Sequence, residues 1–273
     1  MPELPEVETV KRALDARVCG LDIVKVETFS PAMRTSLAPL SAAGLEGRRI
    51  LGVRRRGRYM VMDLAGGKSL LMHLGMSGVL RVEPPSVPRR KHEHIFFHLS
   101  DGSALRFECT RRFSICESCD CACGCWPAAL EKLGVEPLSG AFTADYLFGA
   151  SRGHTGSVKS FLMDNAIVVG VGNIYAAETL FSAGVSPLRR ACDLTRAEAE
   201  KLVAAVKATL EAAILAGGSS IRDYRHLDGS EGSFSLQLKA YGRAGEPCSV
   251  CGTAIVKITQ SGRSSYYCPK CQK

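Results

Sequence analysis

Two cysteine pairs near the end of the chain, Cys248-x2-Cys251 and Cys268-x2-Cys271, lie sixteen residues apart. Thiolates at that spacing converge on one structural Zn2+, each at about 2.3 Å, and a closed four-sulfur site leaves the residues between the pairs little choice of path. A short hairpin is expected. Residues 255–259 and 265–267 can pair across Gln260-Ser261-Gly262-Arg263, which puts Arg263 at the tip. An arginine exposed there can contact phosphate or a nucleic-acid groove, or be no more than a solvated turn residue.

The remaining cysteines need a different account. The chain has twelve in all, and it opens on Met1-Pro2-Glu3-Leu4-Pro5-Glu6-Val7-Glu8-Thr9, whose carboxylates are unlike the basic and apolar start of a signal peptide. A reducing, cytoplasmic setting follows, in which cysteines bind metal, catalyse or fill small apolar sites rather than form disulfides. The run from Cys116 to Cys125 is unusual. If extended, it would put Cys119, Cys121, Cys123 and Cys125 on one face. That permits a thiolate site, although the spacing is not one that structural zinc uses, and reduced loop cysteines are the other reading.

Composition sets the scale. A chain of 273 residues with 46% hydrophobic content suits about two domains with real cores. Its net charge of +8 favours a polyanionic partner, or else a solvated surface. No apolar run approaches the ~18 residues that span a bilayer, so a soluble protein without membrane association is expected.

The opening residues carry chemistry if Met1 is removed, because Pro2 then becomes a free secondary amine. Such an amine titrates near ~8 and can attack an aldehyde-like carbon to give an iminium, with Glu3 as the nearest acid. Prolines and acids also suit the first turn of a helix. Val7, Val10, Leu14 and Val18 fall at helical spacing, so a rigid helix should project Pro2, Glu3 and Glu6 from its free end.

Residues 22–110 read mainly as strands of a β-sandwich, with turns at Ala65-Gly66-Gly67-Lys68 and Ser100-Asp101-Gly102. Two basic clusters fall here. Arg54, Arg55, Arg56 and Arg58 would point to both faces of a strand, so some must serve structure. Arg111 and Arg112 adjoin Phe113, and an arginine and a phenylalanine two apart can share one side of a loop tip, as insertion into a base stack requires. In His73-Leu74-Gly75-Met76-Ser77-Gly78 a methionine lies between glycines, where core filling is its commoner use.

Residues 133–140 read as a linker, and the pattern beyond 141 is helical. Asn173 is placed to cap a helix that stops at Gly184. Thr195 and Glu198 form a capping box, and Val203, Val206, Leu210 and Ile214 give the stripe of a long helix. The polar segment 219–235 is expected to be a mobile loop carrying binding groups.

Taken together, the opening nine residues, His73-Leu74-Gly75-Met76-Ser77-Gly78, Arg111-Arg112-Phe113, Gly170-Val171-Gly172-Asn173-Ile174-Tyr175-Ala176 and the four cysteines resemble, end to end, the formamidopyrimidine-DNA glycosylase (Fpg/Nei) family. The resemblance implies an α+β fold: an N-terminal β-sandwich with a leading helix (1–132), a linker (133–145), a helix-two-turn-helix domain (146–240) and a C-terminal zinc-finger β-hairpin (241–273). It implies a monomer that binds double-stranded DNA containing oxidised purines in the cleft between its domains and flips the damaged nucleotide out. Pro2 would attack the sugar C1', Glu3 would move the protons of ring opening, and β- and δ-elimination would cut the strand. Glu6 would support the lesion pocket, and the 219–235 loop would close on the base. Met76, Arg111 and Phe113 would fill the gap in the duplex. Lys159 and Asn173, with His92 and His154, would hold the DNA backbone, and Arg58 and Arg263 would work at the lesion phosphates. Cys248, Cys251, Cys268 and Cys271 would hold one structural zinc.

Three departures stand out. The family has lysine where this chain has Arg58, which keeps a phosphate contact but is effectively never deprotonated. It has Asp-Pro and glycine around Arg-Arg-Phe, where this chain has Cys109-Thr110 and Ser114, so a looser wedge loop is expected. The run at 116–125 has no counterpart in the family. Related readings are an endonuclease VIII-like glycosylase for oxidised pyrimidines and a lesion-DNA-binding protein with impaired catalysis.

Overall fold

The computed structural model describes residues 1–121, 124–219 and 232–273. They form two compact units, Met1–Glu131 with Gly217–Gly232, and Lys132–Ala216 with Ser233–Lys273.

The first unit opens with helix α1 (Leu4–Val18), which has Pro5 in its first turn, where a missing N–H removes no helical bond. Its stripe of Leu4, Val7, Val10, Leu14 and Val18 is buried, each apolar side chain contributing about 2 kcal/mol. The strands are β1 (Ile23–Thr28), β2 (Ile50–Arg56), β3 (Tyr59–Leu64), β4 (Lys68–His73), β5 (Gly78–Glu83), β6 (Glu93–Leu99), β7 (Ala104–Cys109) and β8 (Ile115–Asp120), with the short helix α2 (Ala38–Ala42) before β2. Two antiparallel sheets result, in the orders β1-β6-β7-β5 and β2-β3-β4-β8. Both feed one apolar cluster that also takes in α1: Met60, Met62, Leu70 and Met72 come from one sheet, and Ile95, Phe97, Leu105 and Phe107 from the other. The expected sandwich is present.

The cysteine run resolves differently from the thiolate-site reading. Cys116 is fully buried on the core side of β8, where burial pushes its thiol pKa up. Cys119 is half-buried and Cys125 is exposed. Among the described residues these cysteines do not gather into a ligand set, and Cys123 lies outside the described residues. The strand β8 ends at Asp120, so Cys121 and Cys125 lie beyond it and are not held on one extended face with Cys119, while Cys116, at an even position, faces the opposite side.

The second unit holds α3 (Ala144–Ser151), α4 (Val158–Leu162), α5 (Asn173–Ala183), α6 (Arg196–Leu215) and the hairpin β9 (Val256–Gln260) and β10 (Arg263–Tyr267). Helix α6 starts on the expected box, with Thr195 and Glu198 bonded reciprocally, and α5 ends on Gly184 at φ 70°. Two readings shift by one residue. Gly172 is the N-cap of α5 and Asn173 is its first helical residue. The stripe of α6 is Ala199, Leu202, Val206, Leu210 and Ala213, with Val203 and Ile214 half-buried on its flanks. Residues 133–140 are bonded to this unit: Gly134 N–H donates to Asn165 O at 2.8 Å, and Val169 N–H donates to Val135 O at 3.0 Å.

Glu178 of α5 joins the helices to the zinc ribbon. Its carboxylate, 4% exposed, accepts the backbone N–H groups of Lys239, Ala240 and Tyr241 at 2.8, 2.9 and 2.7 Å. Glu178→Ala would orphan all three donors and is expected to cost about 3–5 kcal/mol. Urea unfolding followed on the second unit checks this, and a loss below about 1 kcal/mol would contradict it.

Candidate nucleic-acid interface and catalytic N-terminus

At the start of α1 the candidate side chains are buried rather than projecting. Pro2 is buried, and Glu3 and Glu6 are 4% and 2% exposed. The reason is tertiary. Glu6 Oε2 accepts the Glu3 N–H at 2.8 Å, and Oε1 accepts the N–H of Ser219 at 2.7 Å, so one carboxylate ties the helix start to the root of the segment after α6. Gly218 passes so close that an added Cβ would lie 2.8 Å from Glu6 Oε1, and its φ of +81° also requires glycine. The expected mobile loop at 219–235 lies mostly outside the described residues, at 220–231.

Arg58 reaches the same end of the unit. Strands β2 and β3 are joined by the two-residue turn Gly57-Arg58, with Gly57 at φ 57°, and Arg58 Nη1 lies 3.9 Å from Met1 Sδ. As expected, some arginines of this cluster serve structure: Arg54 forks onto Asp63 at 2.5 and 2.8 Å and stacks over Trp126 at 4.4 Å.

His73, quoted in a motif but not singled out as a site residue, belongs here. Its Nδ1 accepts the Gly75 N–H at 3.0 Å, and its ring packs 4.7 Å from that of Tyr59. Burial, with the charges of Arg58 and Arg34, pushes its pKa down to about 4. Because the unfolded chain takes up this proton first, near pH 6.5, stability is fully present above that pH and falls as pH drops toward 4, by on the order of 2 kcal/mol. Melting curves of the protein and His73→Gln between pH 7.5 and 4.5 should diverge, with the native protein losing more; parallel curves would contradict the assignment.

The wedge loop is built from two turns. Met76 is 39% and Phe113 48% exposed, and the Arg111 guanidinium lies 5.3 Å over the Phe113 ring. Residue Gly75, at φ +61°, lets the turns meet backbone to backbone, since a Cβ there would lie 2.6 Å from Phe113 C and O. The two departures from the family pattern, Cys109 and Ser114, meet beneath this loop. Ser114 is fully buried, and its hydroxyl donates to Leu74 O at 2.8 Å while lying 2.9 Å from Cys109 Sγ. His92 is held by its main chain, whose carbonyl accepts the Cys109 N–H at 2.8 Å.

In the second unit Lys159 is 3% exposed, and its ammonium donates to Ser264 O at 2.9 Å and Ser265 Oγ at 2.7 Å. It therefore holds the hairpin that carries Arg263. The hairpin turns on Ser261 and Gly262, both at positive φ, so Arg263 is the first residue of β10, paired with Gln260, rather than the tip. A pocket of about 230 Å³ is lined by Lys159, Ser160, Met163, Gln260, Ser261 and Arg263, and two cations on so small a pocket suit an oxyanion. Asn173 Oδ1 is buried and finds no hydrogen-bond partner among the described residues, at a helix N-terminus that favours anions. The His154 ring packs 5.0 Å from that of Phe161.

The four ribbon sulfurs all lie within 4.8 Å of one another, with Cys251–Cys268 at 3.5 Å and Cys248–Cys271 at 3.9 Å. A tetrahedron with ~2.3 Å metal–sulfur bonds has edges of about 3.8 Å, so the set fits one structural zinc. Backbone N–H groups of Val250 and Cys271 donate to Cys248 and Cys268 sulfur at 3.4 Å.

A helix-fronted sandwich with an arginine–aromatic wedge, joined in one chain to a helical unit with a cationic pocket and a four-thiolate ribbon, defines a zinc-containing nucleic-acid-binding protein. Family models agree along its length: the formamidopyrimidine-DNA glycosylase N-terminal domain matches residues 1–116, its H2TH domain residues 133–225, and the zinc finger found in FPG and IleRS residues 245–273. A curated formamidopyrimidine-DNA glycosylase of Dechloromonas aromatica is 46% identical, with 100% of each chain covered. Among solved structures, an FPG mutant of Lactococcus lactis with Fapy-dG-containing DNA is 34% identical at TM-score 0.90, with 100% of each chain covered. The wild-type L. lactis protein with oxidised-pyrimidine-containing DNA is 32% identical at TM-score 0.88, again with 100% of each covered. The chain belongs to the formamidopyrimidine-DNA glycosylase family. Among the described residues no helix is long and apolar enough to cross a membrane.

Proposed function

We propose that this chain is a bifunctional DNA glycosylase and AP lyase of base excision repair that removes oxidised purines, 8-oxoguanine and formamidopyrimidines, from double-stranded DNA. Once Met1 is removed, the Pro2 nitrogen attacks the sugar C1' and the bond to the base breaks, its electron pair leaving with the base. Glu3 supplies and accepts the protons of ring opening. The resulting iminium acidifies the C2' hydrogen, so β-elimination and then δ-elimination release the strand ends. Glu6 shapes the lesion pocket. Arg58, a fixed cation in place of a lysine, and Arg263 hold the lesion phosphates. Lys159, Asn173, His92 and His154 hold the backbone, and Met76, Arg111 and Phe113 occupy the vacated space in the duplex. We assign catalysis to residues 1–132 and DNA binding to 146–240 and the ribbon 241–273, in a protein working as a cytoplasmic monomer.

The observation that carries this reading is the enclosure of Pro2, Glu3 and Glu6 together at the start of α1, with the Glu6 carboxylate bonded to the Glu3 N–H. Excision assays on matched duplexes carrying 8-oxoguanine or an oxidised pyrimidine test it. Faster release of the purine supports the reading. Faster release of the pyrimidine favours the second reading, to which the oxidised-pyrimidine complex of the L. lactis relative lends weight. Tight lesion binding with no excision of either base would leave only a binding protein.

A further inference from the structure

Helix α1 and the β2–β3 turn meet through one side chain. Arg55 Nε donates to Glu8 Oε2 at 2.7 Å, and Arg55 Nη1 donates to Gly57 O at 3.0 Å. Both partners of the ion pair are largely enclosed, at 11% and 15% side-chain exposure, unlike the solvated pairs elsewhere on this unit, such as Arg49 with Asp22 at 61% and 38%. Glu8 Oε1 accepts Arg12 Nε at 2.8 Å, so its carboxylate is fixed on both oxygens. Burial alone would raise the Glu8 pKa, but the bonds from Arg55 and Arg12 more than offset it and hold the carboxyl below its usual range.

The placement of these bonds matters more than their strength. Glu8 lies one helical turn beyond Leu4, the residue that begins α1, and Pro2 immediately precedes that start. Gly57 O belongs to the peptide that leads into Arg58. A second tie, Val53 N–H to Asp15 Oδ1 at 2.7 Å, fixes the far part of the helix on β2, two turns along the same face, so that Glu8 is the tie between helix and strand nearest Pro2, beside the bond from Ser219 to Glu6. We infer that Arg55 and Glu8 are positioning residues for the reaction, a brace that sets the Pro2 nitrogen relative to the Arg58 guanidinium; this rests on the catalytic roles proposed above. A displacement of about 1 Å between a nucleophile and the group that holds its substrate can cost on the order of 100-fold in rate, so a brace of this kind acts on chemistry more than on binding.

The test uses the full-length protein with Met1 removed, on a duplex carrying 8-oxoguanine, and reads single-turnover borohydride trapping, duplex Kd and melting temperature together. Arg55→Met should slow trapping about 10- to 100-fold while Kd stays within about threefold. Arg55→Lys, which keeps the charge opposite Glu8 but lacks a second arm for Gly57 O, should recover only part of the rate. Glu8→Gln, nearly isosteric, gives the same readout if Arg55→Met does not fold. A trapping rate unchanged in Arg55→Met or Glu8→Gln, or a loss confined to Kd or to melting temperature, overturns the brace. If the unsubstituted protein does not trap, the proposed function fails and the brace fails with it, an outcome distinct from equal trapping by protein and variant.

Discussion

Removing the metal, by chelation or by Cys268→Ser, is expected to unfold residues 245–273 and abolish specific binding to lesion duplex. The apolar cluster around the ribbon consists of Phe181, Ala240, Cys248, Ile255 and Cys268, so two of its five members are themselves ligands. The remaining side chains contribute only a few kcal/mol, whereas a structural zinc contributes about 10–16 kcal/mol of folding free energy in small fingers. Loss of the ribbon removes Ser264 and Ser265 from Lys159 and Arg263 from the pocket, so both cations of that pocket lose their setting. Zinc release measured beside fluorescence anisotropy on a lesion duplex checks this. Undiminished affinity after one equivalent of zinc has left would contradict it.

Glu3→Gln is expected to lower base excision by about 10²- to 10⁴-fold, the usual contribution of general acid–base catalysis. The substitution keeps the shape of the side chain, and the bond from the Glu3 backbone N–H to Glu6 is untouched, so the helix start should persist. What disappears is the capacity to exchange a proton in a site where Glu3 is 4% exposed and bulk water is a poor substitute. Strand cleavage at a preformed abasic site should fall less, because the ring there is already free to open. Single-turnover excision of 8-oxoguanine set against cleavage of an abasic duplex separates the two steps, and equal losses on both substrates would contradict the assignment.

Features that depend on near neighbours were legible from residue order. The four thiolates, the Thr195–Glu198 box, Gly184 at the end of α5 and the buried stripe of α1 all follow from spacings of one or two turns, or from one ligand set. Features that depend on distant partners were not. Burial of Glu6 requires the N–H of Ser219, 213 positions away, and the stitching of the wedge by Ser114 requires Leu74 O, 40 positions away. Lys159 was expected to hold a DNA phosphate, and its ammonium grips a hairpin 105 positions on. The shift from Val203 to Leu202 in α6, and from Asn173 to Gly172 at the cap of α5, has a simpler cause. Adjacent residues on a helix differ by 100°, and the packing partner chooses between them.

The proposed chemistry begins at the Pro2 nitrogen. Incubating the processed protein with 8-oxoguanine duplex and borohydride, then locating the adduct by peptide mass spectrometry, tests it most directly. A reduced sugar on the N-terminal peptide, attached at Pro2 and absent from protein that retains Met1, is the expected result. An adduct on any lysine, or trapping by protein that still carries Met1, would contradict it.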